Sequence, residues 1–271
     1  MKIGITGGAG FLGHALIKKL GAKDEILVMN RNESKLIELK NEFPHISYLS
    51  GDISDDFMSQ RFCTGLDVIY HLASLKHVLV AEQQPYQAVM TNVVGTMNLL
   101  KHFKGNQFIA ISTDKAAQIS GVYGATKYLL EKLMFEYQSV NPDVAYRVVR
   151  YGNVLFSSSS VLTRWKYALE NGKEVVITDP EATRFYWHVD LAIQHIFDCI
   201  KYSKDATPYI PEMKAMRLGD LLEAMQLKYG RAVSVRQIGL QPSENFHETM
   251  DGKIFSNEVE KYSIDEILGL I

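Results

Sequence analysis

Short apolar runs, several followed by longer stretches with helical spacing, recur through the first half of the chain. Lys2 to Thr6, Glu25 to Met29, Ile46 to Leu49, Asp67 to Leu72, Gln107 to Ser112 and Tyr146 to Tyr151 read as six strands. The spacing predicts helices from the glycine-rich turn to about Leu20, from about Gln84 to Phe103, and from Tyr123 to Val140. Such alternation argues for an α/β fold, a Rossmann-like doubly wound parallel sheet with helices on both faces. Right-handed crossovers and the strand order 3-2-1-4-5-6 are expected. After Gly152 the pattern changes. Short helices (162–169, 190–201, 218–228) mix with short strands (174–177, 234–238), and no repeat or low-complexity tract is present. We therefore expect a dinucleotide-binding domain over residues 1–155 and a smaller C-terminal α/β substrate-binding lobe over 156–271, capping the sheet's carboxyl edge.

Two segments add chemistry to this frame. The first is Thr6-Gly7-Gly8-Ala9-Gly10-Phe11-Leu12-Gly13, placed where the first strand turns into the first helix. Gly7 suits the tight turn, Gly10 lets backbone approach a pyrophosphate, and Gly13 allows close helix–strand packing. The amides of Phe11, Leu12 and Gly13 then open a helix N-terminus able to receive a diphosphate. The second segment follows the fifth strand: Ser112-Thr113-Asp114-Lys115-Ala116-Ala117, then Tyr123-Gly124-Ala125-Thr126-Lys127. Tyr123 and Lys127 are four apart and share a helix face. A lysine beside a phenol favours phenolate and makes a general base usable near neutral pH. Asp114 and Lys115 fall at the carboxyl end of a strand, where open α/β sheets place their chemistry.

Together these residues resemble the extended short-chain dehydrogenase/reductase superfamily. Within it the chain is most similar to the inverting UDP-N-acetylglucosamine 4,6-dehydratases. The matching stretches are His71-Leu72-Ala73-Ser74-Leu75-Lys76-His77-Val78, Ser112 to Ala117, Tyr123 to Lys127, Arg150-Tyr151-Gly152-Asn153-Val154, Thr183-Arg184-Phe185, and Pro242-Ser243-Glu244 with His247-Glu248. The resemblance implies a role for each catalytic candidate. Tyr123, helped by Lys127, would take the proton of the sugar 4-hydroxyl while carbon 4 is oxidised. Lys115 would remove the carbon 5 proton, Asp114 would protonate the departing 6-hydroxyl, and Thr113 would orient the sugar. A neutral lysine beside a protonated aspartic acid requires opposite pKa shifts, which a desolvated site can supply.

By the same resemblance Leu72, Ala73, Ser74 and Asn92, together with Tyr123 and Lys127, join the cofactor site, with Asp52 and Ile53 bracketing the adenine. The residue after the second strand decides which cofactor is expected. NAD-binding folds of this type carry an acid there for the ribose 2′-hydroxyl. This chain has Met29-Asn30-Arg31-Asn32, and Arg31 can meet a 2′-phosphate, so NADP is expected. Lys76, Asn153, Arg184 and Glu244 are expected around the nucleotide sugar, with Arg184 as the bidentate phosphate contact. Two departures bear on that site. The family tail Arg-Pro-Gly-Glu-Lys is Gln241-Pro242-Ser243-Glu244-Asn245 here, and Val154 to Ser160 lacks the usual glycine and arginine. The nucleotide and sugar therefore stay open, as do 5,6-dehydration and 4-epimerisation from the same initial oxidation. A dinucleotide-binding sensor without turnover is the reading from another class. It would need the glycine turn but not Asp114, Lys115, Tyr123 and Lys127 together.

Composition narrows the setting. A formal net charge of −2 gives no general attraction to nucleic acid or anionic membranes. Cys63 and Cys199 are far apart without metal-ligand spacing, and His188, His195 and His247 likewise suggest no metal site. No apolar run is long enough to span a bilayer, and the chain opens directly on a strand rather than a signal peptide. The expectation is a cytoplasmic enzyme with a small nucleotide-sugar substrate, no nucleic-acid or membrane partner, and a homo-oligomeric state. Apolar positions in the Tyr128 to Tyr137 stretch suit packing or a dimer contact.

Overall fold

A computed structural model describes residues 1–158 and 160–271, so Ser159 of the serine run lies outside the described residues. The first half alternates as the apolar pattern dictates: β1 (Lys2–Thr6), α1 (Phe11–Leu20), β2 (Glu25–Asn30), α2 (Glu33–Glu42), β3 (Ser47–Ser50), α3 (Asp56–Cys63) and β4 (Val68–His71). It continues with α4 (Val78–Gln83), α5 (Pro85–Val89), a π-helical turn over Met90–Val94, α6 (Gly95–His102), β5 (Gln107–Thr113), α7 (Val122–Val140) and β6 (Ala145–Tyr151). The six strands form one parallel sheet in the order β3-β2-β1-β4-β5-β6, the order expected from sequence. Strands buried on both faces explain why β4 and β5 are almost continuously apolar.

The single helix expected from Gln84 to Phe103 is instead three helices and a π turn, starting earlier at Val78. Pro85 has no N–H to continue α4 and is tolerated only where a new helix begins, so the chain breaks at Gln84. The π turn that follows carries Asn92 into the interior. Its amide accepts from Ser74 Oγ (3.0 Å) and Leu75 N (2.7 Å), and donates to Leu75 O (3.1 Å) and Thr126 Oγ1 (2.9 Å).

The second half contains β7 (Asn153–Val154), α8 (Val161–Glu170), β8 (Val175–Ile177), β9 (Thr183–Trp187), α9 (Val189–Tyr202), β10 (Ala215–Arg217), α10 (Leu218–Tyr229), β11 (Val235–Gln237) and α11 (Ile264–Leu270). A three-stranded sheet, β10-β9-β7, and a two-stranded one, β11-β8, accompany the main sheet. β9 was not legible in sequence because all five of its residues are buried, Arg184 included, so it lacks period-two alternation. Two cores flank the main sheet. Ile5, Leu16, Ile17, Val149 and Ile196 pack on one face, which brings α9 back against α1 and β6. Phe62, Leu99, Phe108, Leu130 and Met134 fill the other face. A third core around Trp165, Leu169, Ile177, Met216, Leu221 and Met225 unites α8, β8, β10 and α10.

Among the described residues, the only non-glycine residues in the left-handed backbone region are Phe156 (φ 55°) and Ser243 (φ 66°). Left-handed backbone without a glycine costs about 1 kcal/mol at each of these two positions. No helix of the described residues is long and apolar enough to cross a membrane.

Candidate active site

The carboxyl ends of the main strands open into one cleft of about 650 Å³, floored by the glycine turn and roofed by residues of the second half. Gly7 leaves β1 at φ 70°, and a Cβ there would lie 2.8 Å from the Ala73 amide nitrogen. At Gly13 a Cβ would lie 2.4 Å from Gly8 Cα, so this glycine sets how closely α1 approaches the turn. Gly10 is the N-cap of α1 and supplies no side-chain cap, leaving the first-turn amides of Phe11, Leu12 and Gly13 at the cleft. This cradle, where a Cβ at Gly10 would also crowd Gly7 O at 3.1 Å, fits a dinucleotide diphosphate. A buried chain from Thr6 Oγ1 to His71 Nδ1 (2.7 Å) and from His71 Nε2 to Thr96 Oγ1 (3.0 Å) fixes the neighbouring β4 end. Burial drives the His71 pKa down to about 3, so this ring stays neutral.

The catalytic candidates converge at the end of β5. A one-turn helix, Asp114–Ala116, follows the strand, and α7 packs directly upon it. Gly124 makes that approach possible, since a Cβ there would meet Lys115 O at 2.3 Å. The first amide of α7, from Val122, donates to Glu82 Oε1 at 2.6 Å, which anchors the turn carrying Tyr123. Asp114 Oδ1 accepts from Thr113 Oγ1 (2.8 Å), from the Lys115 amide (2.9 Å) and from Lys115 Nζ (3.2 Å). Its Oδ2 is buried with no partner among the described residues. Thr113, Lys115, Tyr123 and Lys127 line the cleft, while Asp114 sits immediately behind Lys115.

The protonation pattern differs from the sequence expectation in two places. Burial raises the Asp114 pKa, partly opposed by Lys115, which readies this carboxylate to take a proton from its neighbour. Burial also disfavours the Lys115 ammonium, but Asp114 and Glu248 outweigh it, and the Lys115 pKa rises rather than falls. The expected neutral lysine is therefore not the resting form, because a second carboxylate from the tail faces it at 3.5 Å. Burial likewise pushes Tyr123 up to about 12, with Lys115 pulling it back in part. Lys127, expected to activate the phenol, makes no hydrogen bond to it among the described residues. Burial lowers the Lys127 pKa to about 8, with the Glu131 carboxylate acting against that fall.

The other sequence-selected residues divide clearly. Leu72, Ala73, Ser74, Arg31, Asp52 and Ile53 line the cofactor side of the cleft, and Lys76, Asn153, Arg184 and Glu244 line it elsewhere. Asn92 does not line it. All four of its polar positions are used inside the fold, so it braces the Ser74–Leu75 loop against α7 instead of reaching a ligand. Arg31 is half-exposed, with Nη1 3.4 Å from Asp52 Oδ2. Asn153 Nδ2 donates to Phe185 O (3.2 Å), tying β7 to β9. Glu244 Oε2 accepts from the Gln241 amide (3.2 Å).

Arg184 is not presented as a free bidentate phosphate fork. It is buried, its Nη1 donates to Thr183 O and Phe246 O (both 2.9 Å), and its Nε lies 3.8 Å from Glu248 Oε1. A guanidinium inside a buried strand must be paired, and the tail supplies the partners. Glu248, Arg164, Trp165 and Tyr186 were not selected from sequence although all line the cleft. The one signal for Glu248 was its place beside His247 in the tail. Among the described residues, no group of His, Cys, Asp and Glu is arranged to hold a metal.

The polysaccharide biosynthesis protein family matches residues 3–268. An uncharacterized membrane protein of Methanocaldococcus jannaschii is 34% identical over 97% of this chain and 82% of its own length. The inverting UDP-N-acetylglucosamine 4,6-dehydratase of Campylobacter jejuni is 30% identical over 95% of this chain and 80% of its own. Among solved structures, Pen from Bacillus thuringiensis superposes with a TM-score of 0.88 at 28% identity, covering 92% of this chain and 83% of that one. A dTDP-glucose 4,6-dehydratase of Streptomyces venezuelae, solved with NAD bound, shares the fold with a TM-score of 0.84 at 19% identity, covering 100% and 95%.

Proposed function

The chain belongs to the polysaccharide biosynthesis protein family, an extended short-chain dehydrogenase/reductase, and on that premise we propose that it is an NADP-dependent sugar-nucleotide 4,6-dehydratase acting on UDP-N-acetylglucosamine. The observation that carries this reading is the pairing of Lys115 with Asp114 beside Tyr123. Oxidation at carbon 4 needs one base; elimination across carbons 5 and 6 needs a further base and an acid. The glycine turn and the residues beside it would hold a nicotinamide dinucleotide, which would supply a reversible hydride acceptor for the sugar.

The protein's own residues handle the protons. Tyr123 takes the proton of the 4-hydroxyl, with the Lys115 charge at the same wall favouring the phenolate. The 4-ketone acidifies carbon 5, and Lys115, once it has passed its resting proton to Asp114, takes the carbon 5 proton. Asp114 delivers its proton to the 6-hydroxyl, which leaves as water. Lys115 then protonates carbon 5, and the proton gained by Tyr123 replaces the one Asp114 gave up. Thr113 holds Asp114 in place while bordering the cleft. The nucleotide lies across the cleft from the glycine turn, where Lys76, Asn153 and Arg164 face the same space.

The test is incubation with UDP-N-acetylglucosamine in deuterated water, followed by NMR. A 6-deoxy-4-keto sugar with solvent deuterium at carbon 5 is expected. A 5,6-alkene would assign a 5,6-dehydratase instead. Unlabelled galacto product would assign a 4-epimerase, the activity named for several Rickettsia relatives at 28–29% identity. Recovery of unchanged sugar would reject catalysis on this substrate.

NADP preference rests on Arg31. Arg31→Ala should weaken NADP binding by about 1.5 kcal/mol, roughly tenfold, and leave NAD almost unaffected. Equal losses for both cofactors in titration calorimetry would show that Arg31 serves only its contact with Asp52. We also assign exposed Tyr128, Leu129 and Phe135 of α7 to contact with a second copy of the chain. A monomer in sedimentation at micromolar concentration would reject that assignment.

A further inference from the structure

Glu248 is a buried carboxylate to which the reaction just described gives no work. Its Oε1 lies 3.5 Å from Lys115 Nζ and 3.8 Å from Arg184 Nε, and its Oε2 accepts from Asn245 Nδ2 at 3.2 Å. The backbone holds it firmly: the Glu248 amide donates to Ser256 Oγ (2.9 Å), and Ser256 Oγ is bonded in turn to Thr183 Oγ1 (2.6 Å). Lys115 thus meets Asp114 from its own turn, Tyr123 from α7, Arg184 and Tyr186 from β9, and Glu248 from the tail. The four strong charges balance. Arg184 cannot lose its proton, so Glu248 stays matched to a permanent cation. Lys115 and Asp114 are left to divide one proton between them.

We propose that Glu248 is a positioning residue that fixes Lys115 at the cleft wall and sets the pH range over which the Lys115–Asp114 pair holds its shared proton. Moving that proton across the 3.2 Å from Nζ to Asp114 Oδ1 produces a free amine and a carboxylic acid with no change in net charge. Elimination then returns the pair to its starting charges: the amine gains the carbon 5 proton, and the acid loses its proton to the leaving hydroxyl. Without Glu248, the fixed Arg184 charge would be unbalanced beside Lys115 and would repel its ammonium. The loss would lower the pKa of Lys115, and of Asp114 as well, since Glu248 contributes to holding both up. The pair titrates as a unit, so both limbs of its pH profile should move together.

The consequence for turnover rests on the dehydratase reading, whereas the titration itself does not, and the experiment separates them. Glu248→Gln keeps the shape and removes the charge. The bell-shaped pH profile of dehydration should move about one to two units towards acid, as loss of a carboxylate within hydrogen-bonding range of a lysine predicts. Glu248→Asp should lower the height of the bell but leave it in place. Side-chain ¹⁵N NMR of Lys115, assigned by its loss in Lys115→Met, should show the same acid shift in Glu248→Gln without any sugar present. If Glu248→Gln does not fold, Asn245→Asp adds a carboxylate to the cluster and should shift the Lys115 titration towards alkali. A Lys115 titration that stays put in the folded variant would overturn the proposal. A titration that moves while the wild-type protein dehydrates nothing would leave the assignment standing and remove the proposed function.

Discussion

On the proposed mechanism, Lys115→Met should stop elimination while leaving oxidation at carbon 4 in place. The dehydration rate should fall about a hundredfold to ten-thousandfold, the usual contribution of a positioned acid or base. In a single turnover, absorbance of reduced cofactor should then persist, and mass spectrometry should find a 6-hydroxy-4-keto sugar. Methionine keeps the length of lysine, so packing alone predicts little change. The electrostatics predict more. The substitution leaves Asp114 and Glu248 buried with Arg184 as the one remaining strong cation, and breaking a buried pair commonly costs about 3–5 kcal/mol. Asp114 can relieve this by taking up a proton, since burial already favours its neutral form. The variant should therefore fold with a lowered melting temperature. Water loss from the sugar at the wild-type rate would show that Lys115 is not the carbon 5 base.

Tyr123→Phe should block the earlier step, since the proposed acid–base phenol stands at the cleft where β5, the Asp114–Ala116 turn and α7 meet. Removing its hydroxyl should reduce carbon 4 oxidation by a similar hundredfold or more, with neither reduced cofactor nor keto sugar formed. Cofactor binding should survive, because the diphosphate cradle at Gly7, Gly10 and Gly13 belongs to a different loop. The two variants thus fail differently: one accumulates the oxidised sugar and the other never makes it. Near wild-type formation of the keto sugar by Tyr123→Phe, read in the same single-turnover assay, would transfer the first proton step to another residue.

Much of the scaffold was legible because its causes are local. Six apolar runs, a glycine turn and a tyrosine–lysine spacing each lie within a window where backbone sterics and periodicity act directly. They led to the parallel sheet, its strand order and the cofactor cradle. The helix expected from Gln84 to Phe103 failed for a reason also local, the missing donor of Pro85, but its π turn required the packing of Asn92 to become visible. β9 could not be found by alternation because both of its faces are covered by segments distant in the chain, both before and after it.

The sequence by itself determined which chemical groups stand at the end of β5, since Thr113, Asp114, Lys115, Tyr123 and Lys127 are brought there by one strand, one turn and one helix. Only the tertiary structure decided their charge states and neighbours. Glu248 comes from the tail and Arg184 from a strand of another sheet, and neither position is a function of local spacing. Their electrostatic effect depends on through-space distance and burial, which exist only once the chain has closed around them. That closure keeps Lys115 charged, commits Arg184 to protein partners, and turns Asn92 from a ligand contact into a brace.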